Sequence, residues 1–184
     1  RVKITPSLDE FMALAAGHRV VPVMLRLLAD RETAVSAYEK LVGDRPGFLL
    51  ESAEGGDRWA RWSFLGWDPQ FTLVSRDGVT SAEGSAPELA EGNPLDVLAE
   101  LLERYDTPEM AGLPPLHSGA VGYLGYDCVR YVEYLPNRPP DDRGLPEMLW
   151  QFVGSLAALD RFDQTITLVR NVFVADDPEA QYRS

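Results

Sequence analysis

Near its end the chain carries a long, almost wholly apolar run at residues 148–159. Residues 164–174 then alternate Thr165, Thr167 and Val169 against Ile166, Leu168 and Arg170. A period of two is the signature of a strand with two unlike faces. The short polar stretch 160–163 between the runs reads as a turn, so the pair is expected to form an antiparallel hairpin. A hairpin of this length is not stable alone. It commits the chain to a sheet with a buried face, and the rest of the sequence has to supply partners for it.

Those partners are legible as short strands. Residues 19–28 are rich in Val, Leu and Met around Pro22, which suits an edge strand or an extended entry. Phe48, Leu49 and Leu50 read as a short buried strand ending in Glu51 and Ser52. Residues 58–66 mix charge with aromatic rings and suit a half-buried strand. Residues 70–75 form another, and Asp77-Gly78 is a hairpin turn signal. Residues 118–126 read as a strand containing Gly119, Gly122 and Gly125.

Helices are announced by their caps. Ser7-Leu8-Asp9-Glu10 is a capping box before Phe11, Met12 and Ala15, with Gly17 to close the helix. Thr33 caps a second helix with Val35, Ala37, Tyr38, Leu41 and Val42 on its apolar side. Asn93-Pro94 starts a third, with Leu95, Leu98, Leu101, Leu102 and Tyr105 as its stripe. Residues 81–92 read as a loose surface loop, 107–117 as connection, and 136–146, with four prolines, as an irregular excursion. The sum is a mostly antiparallel sheet with three inserted helices, an α+β class. There is no internal repeat, and no βαβ period to support a doubly wound parallel sheet.

Charge narrows the partners. Seventeen Lys and Arg against 29 Asp and Glu give a net charge of −12 over 184 residues. Phosphate backbones and anionic membrane surfaces repel such a chain, and its basic residues are scattered, so nucleic acid and membrane are excluded as partners. The longest uncharged stretch, 110–126, carries two prolines, His117 and four glycines, and is no membrane span. One cysteine, Cys128, allows no internal disulfide, which fits a reducing, cytoplasmic setting. With His18 and His117 far apart in sequence, a Cys/His metal site is not expected. Opening on Arg1, the chain reads as a piece of a longer protein.

The search for catalytic chemistry is largely empty. No Gly-x-Ser-x-Gly elbow is present, and neither histidine has a motif around it. Cys128 reads as a small buried hydrophobe. Gly119, Gly122 and Gly125 have the wrong spacing for a phosphate loop and are expected to serve close backbone packing. Asp141-Asp142 and Asp176-Asp177 sit in polar, Pro-flanked stretches and read as solvated. Glu51 differs, because it closes an apolar strand just before a strand rich in arginine. Two readings stand there. One is a Glu51–Arg salt bridge stitching two strands. The other is a site for a zwitterion, with carboxylate to ammonium, Arg or Ser to carboxylate, and apolar neighbours for a side chain.

The run Phe48-Leu49-Leu50-Glu51-Ser52-Ala53-Glu54-Gly55-Gly56, followed by Arg58-Trp59-Ala60-Arg61-Trp62-Ser63-Phe64-Leu65-Gly66, resembles the N-terminal region of the anthranilate synthase component I family. Residues 21–38, 119–130 and 147–161 agree as well, in the same order and over nearly the whole chain. Thr33-Ala34 departs from the Thr-Pro common in that family, which should touch only helix initiation.

The resemblance implies that residues 1–184 are the N-terminal regulatory part of an enzyme converting chorismate and ammonia to anthranilate and pyruvate. A glutamine amidotransferase subunit supplies the ammonia. It implies that catalytic and Mg²⁺-binding residues lie C-terminal to this chain, which alone is expected to be inactive, to hold no cofactor and to self-associate. It implies a feedback site for L-tryptophan. Leu50, Glu51 and Ser52 carry over from the family's Leu-Glu-Ser motif. Leu50 would meet the ring, Glu51 the ammonium, and Ser52 would hydrogen-bond the ligand. Arg61 and Trp62 join by proximity. Two other readings stay open: a fragment of aminodeoxychorismate synthase component I, and a free-standing amino-acid-binding module.

Overall fold

A computed structural model describes residues 3–51 and 61–184. Ten strands and four α-helices are assigned among them, and the chain divides into two compact units. The α+β class with mostly antiparallel strands is as the sequence indicates.

The first unit comprises Arg1–Pro69, Tyr105–Gly119 and Val153–Ser184. Its six-stranded antiparallel sheet contains β1 (Ile4–Thr5), β2 (Val20–Leu28), β3 (Gly47–Glu51), β4 (Trp62–Trp67), β9 (Ser155–Asp160) and β10 (Thr165–Phe173). They are ordered β1-β2-β10-β9-β4-β3. The expected hairpin is its centre: β9 and β10 pair from Thr165 opposite Asp160 to Arg170 opposite Ser155. Helices α1 (Leu8–Ala15), α2 (Ala34–Leu41) and α4 (Pro178–Arg183) belong to this unit. The capping box is realised at Ser7 and Glu10. Ala37 and Val42, at the end of α2, are buried with Leu65, Ala157, Leu159 and Ile166. Phe11 of α1 is buried with Val21 and Val172, its ring 5.1 Å from Tyr182 of α4.

The second unit comprises Gln70–Arg104 and Ala120–Phe152. Strands β5 (Phe71–Arg76), β6 (Val79–Gly84), β7 (Ala120–Leu124) and β8 (Met148–Phe152) form an antiparallel sheet ordered β6-β5-β8-β7. Asp77 at φ 50° and Gly78 at φ 77° make the two-residue hairpin turn between β5 and β6. Helix α3 (Pro94–Arg104) starts where Asn93 Oδ1 accepts from Leu95 N at 2.9 Å, and buries Pro94, Val97, Leu98 and Leu101. A 3-10 helix at Tyr126–Tyr131 follows β7.

Several expectations are corrected. The apolar run 148–159 is two strands, β8 and β9, in two different sheets. Hydrophobicity is continuous across Val153-Gly154 because both flanking strands are core, so the pattern hides the break. Residues 79–84 pair with β5, which places the first part of the expected 81–92 loop in strand β6. Strand β3 is a sheet edge with Leu50 43% exposed, not a buried strand. Strand β2 lies inside the sheet, flanked by β1 and β10. Among the described residues β1 pairs only with Met24 and Leu25, leaving no strand on that side of Pro22 to need the missing N–H. Val35 is 55% exposed and contributes nothing to the core. Asp177 is a cap, not merely solvated: its Oδ1 accepts from Ala180 N at 3.0 Å and starts α4.

Candidate functional site

Four of the five residues singled out in the sequence lie at one end of the six-stranded sheet. Leu50 and Glu51 end β3, Arg61 directly precedes β4, and Trp62 opens it. Ser52 lies outside the described residues. Pairing of β3 with β4 sets Leu50 opposite Phe64 and Glu51 opposite Ser63. Pairing of β4 with β9 sets Trp62 opposite Asp160, Ser63 opposite Leu159, and Phe64 opposite Ala158. Side chains alternate along a strand. Leu50, Phe64, Trp62 and Asp160 therefore share one face of the sheet, and Glu51, Ser63 and Leu159 share the other. Strand geometry puts Leu50 and Trp62 on one face and Glu51 on the other, while Arg61, just outside β4, joins Trp62 through its side chain.

On the Leu50 face, the Trp62 and Phe64 rings stack with centroids 6.0 Å apart. Arg61 reaches over this cluster. Its Nε donates to Asp160 Oδ1 at 2.8 Å and its Nη2 to Asp160 Oδ2 at 2.5 Å, with a further bond to Asp163 at 3.2 Å. The guanidinium carbon lies 5.1 Å from the Trp62 ring centroid and 5.4 Å from that of Phe162, within the range of cation–π attraction. Asp160 is 4% exposed. Its Oδ1 also accepts from the backbone N–H of Phe162 at 3.0 Å and of Asp163 at 3.3 Å. The hydrogen bond from Arg61, working against burial, holds this carboxyl below its ordinary range, and the turn N–H groups assist. Arg61 is pushed up for the same reason.

On the opposite face, Arg161 Nη2 donates to Glu51 Oε1 at 2.7 Å and to Ser63 Oγ at 3.4 Å. The salt bridge anticipated for Glu51 is thus present, but its cation is Arg161 rather than a residue of the adjacent strand. Arg161 N donates to Arg61 O at 2.9 Å, extending the β4–β9 ladder by one bond. A cavity of about 150 Å³ opens beside Arg161, lined also by Asp30, Glu32, Leu159, Asp160 and Gln164.

Asp160, Arg161 and Phe162 were missed in the sequence because residues 160–163 read only as a turn. A signal existed in the mixture of charge and an aromatic ring at a hairpin tip. Its partners, however, lie about a hundred residues earlier in the chain.

The second unit holds a separate polar knot. Glu147 accepts from Tyr131 Oη, from Arg138 Nη2 at 2.6 Å and from Gly78 N at 3.2 Å. Burial pushes Glu147 up, but these donors win and hold it below its ordinary range. Tyr131 is pushed up, first by burial and then by Glu147. Cys128 is 5% exposed, its thiol donates to Glu147 O at 3.1 Å, and burial pushes its pKa up. That is the condition of an inert, buried thiol. A cavity of about 550 Å³ lies beside this knot, between the 3-10 helix and residues 138–147. Among the described residues no three His, Cys, Asp or Glu side chains gather as a metal site. Among the described residues no helix is long and apolar enough to cross a membrane.

No family model matches the chain. Curated relatives do. Anthranilate synthase component 1 of Mycolicibacterium smegmatis is 51% identical over 170 residues, which is 91% of this chain and 32% of that protein. The protein of the same name from Mycobacterium tuberculosis is 48% identical over 173 residues, and that from Arthrobacter globiformis 42% over 177. The chain spans about a third of the length of these relatives. A crystal structure of anthranilate synthase component I from Streptococcus pneumoniae matches 85% of this chain and 34% of its own, with a TM-score of 0.57 and 24% identity, which speaks to fold alone. Sequence and fold agree that the chain is a homologue of anthranilate synthase component I over the third of that protein it spans.

Proposed function

We propose that this chain is the N-terminal, regulatory part of an anthranilate synthase component I. In the full-length enzyme, chorismate and ammonia derived from glutamine become anthranilate and pyruvate. The observation that carries this is the 51% identity to a protein of that name over nine-tenths of the chain. The names of the relatives favour this reading over aminodeoxychorismate synthase component I and over a free-standing binding module. On this reading the catalytic residues, the Mg²⁺ they bind and the chorismate site belong to the rest of the protein, and the isolated chain is inactive. Its partners are the glutamine amidotransferase subunit and L-tryptophan, and its setting is the cytoplasm.

The tryptophan site is proposed at the β3–β4 end of the first unit. Leu50, Trp62 and Phe64 offer an apolar strip for an indole ring, and Arg61 beside them offers a cation for the carboxylate. Glu51 and Ser52 complete the set taken from the Leu-Glu-Ser motif. Glu51 lies on the other face, paired with Arg161, so it supports the strand end rather than facing the ring. Inhibition requires tryptophan to prefer an inactive arrangement of the enzyme over the active one.

The test uses the full-length enzyme with its amidotransferase subunit. Anthranilate formation from chorismate and glutamine should fall with added L-tryptophan, and Ser52→Phe should abolish that response. Formation of aminodeoxychorismate instead of anthranilate would overturn the assignment of reaction. Undiminished inhibition of the Ser52→Phe enzyme would overturn the assignment of the site.

A further inference from the structure

An exposed phenylalanine at a hairpin tip is ordinary on its own, and Phe162 is 80% exposed. Its setting is not ordinary. The turn that carries it is pinned by Asp160, which accepts from Phe162 N and Asp163 N and simultaneously holds Arg61 through two nitrogens. Gln164 closes the same turn at φ 53°, a left-handed conformation that a non-glycine residue adopts at a cost. One buried carboxylate therefore fixes both a guanidinium and the backbone that carries the ring over it. Arg61 lies between the strip on β4 and Phe162, 5.1 Å from one ring centroid and 5.4 Å from the other. Among the described residues its Nη1 takes no hydrogen bond, since Nε and Nη2 make all those it has.

Resting on the proposed tryptophan site, we propose that Phe162 is a second aromatic wall of that site and that Asp160 is its positioning residue, aiming the free edge of Arg61 at the ligand's carboxylate. The chemistry is a division of labour. The Phe162 and Trp62 rings recognise an aromatic side chain through apolar area and ring contact. The guanidinium recognises the carboxylate through charge-assisted hydrogen bonds. Asp160 touches no ligand; it acts by setting the orientation of the Arg61 fork through Nε and Nη2. The site so built is specific for an aromatic amino acid over the corresponding amine.

The experiment is calorimetric titration of the full-length protein with L-tryptophan and with tryptamine, which lacks the carboxylate. Phe162→Ala should raise the dissociation constant for tryptophan about tenfold, the upper end of what one aromatic contact supplies, and Phe162→Tyr should restore it. Asp160→Asn should weaken tryptophan at least tenfold while leaving tryptamine within about twofold, because only the carboxylate contact is lost. If Asp160→Asn does not fold, Asp160→Glu, which keeps the charge but displaces the fork, should show the same selective loss.

A wild-type protein that binds no tryptophan overturns the site itself. Tryptophan binding that is unchanged in Phe162→Ala overturns this proposal alone. Equal weakening of tryptophan and tryptamine by the Asp160 variants removes Asp160 from its positioning role.

Discussion

The glycines of β7 offer the most decisive test of the backbone packing. A methyl group added at Gly122 would stand 1.9 Å from the carbonyl oxygen of Leu149 and 2.8 Å from the Leu149 carbonyl carbon and the Trp150 Cα, all backbone atoms of β8. A methyl carbon and a carbonyl oxygen come no closer than about 3.2 Å without strain, so β7 must retreat by roughly 1.3 Å. An N–H···O bond of ordinary length stretched by that much is lost. Among the described residues strand β7 is an edge whose ladder partner is β8, five residue pairs in all, with no second neighbour to hold it. Losing two or three ladder bonds at about 1 kcal/mol each, less the roughly 0.5–1 kcal/mol a Gly-to-Ala change returns through the unfolded chain, leaves a net cost of about 2 kcal/mol. Gly17, with nothing within 4 Å and an ordinary φ, is the control, and Gly17→Ala should be neutral or slightly stabilising. Urea unfolding followed by tryptophan fluorescence checks both. Gly122→Ala within 0.5 kcal/mol of wild type, on the scale of ordinary surface substitutions, would refute close packing as the reason for this glycine and reopen the question of what the Gly119–Gly125 run is for.

Three further outcomes follow from the first unit. Leu65→Ala should cost about 3 kcal/mol in chemical denaturation, because Leu65 is fully buried at the centre of the cluster under α2; a loss under 1 kcal/mol would contradict that packing. The Glu51–Arg161 pair is partly exposed on both sides, so a double-mutant cycle to Ala should return a coupling of only about 0.5 kcal/mol; a coupling above 2 kcal/mol would mark it as a buried, structural pair. Asp160 is held below its ordinary value when folded, so folding there binds fewer protons than the unfolded chain does. Its contribution is complete above about pH 4, the unfolded carboxyl value, and is lost as pH falls through the folded one. Acid unfolding of Asp160→Asn should accordingly be less steep in pH than that of wild type, and superimposable curves would refute the linkage.

The elements that were legible in sequence are those whose signal is local. Ser7 and Glu10 close a capping box within four residues, and Asp77-Gly78 makes a two-residue turn. What was hidden is what depends on distant neighbours. Residues 148–159 are apolar throughout because β8 packs in one sheet and β9 in another, and nothing in hydrophobicity distinguishes one long buried strand from two short ones. The break falls at Val153-Gly154, where Val153 N turns to Gly119 O and Gly154 O accepts from Asn171 N. In sequence Gly119 reads as part of the strand 118–126 and Asn171 as part of the hairpin, so nothing local ties either to the break. Leu50, in turn, reads as buried from its composition, whereas burial depends on whether β3 has a neighbour on its far side, and among the described residues it has none.

The candidate site shows the same division at finer grain. Leu50 and Glu51 are adjacent in sequence and look like parts of one recognition unit, but a pleated strand cannot point consecutive side chains the same way. Register then decides the company each keeps. Leu50 falls in with Phe64, Trp62 and Asp160, and Glu51 with Ser63 and Arg161. The β9–β10 turn makes both groups at once, because Asp160 and Arg161 are themselves consecutive and alternate in the same sense. One carboxylate secures Arg61 on the aromatic face, and one guanidinium secures Glu51 on the helix-covered face. A change at either position is therefore felt on its own face first. If the ligand lies on the aromatic face, Asp160→Asn should weaken it far more than Arg161→Ala, although the two residues are neighbours. The reverse order in a binding titration would move the site to the Glu51 face, beside the cavity that Arg161 lines.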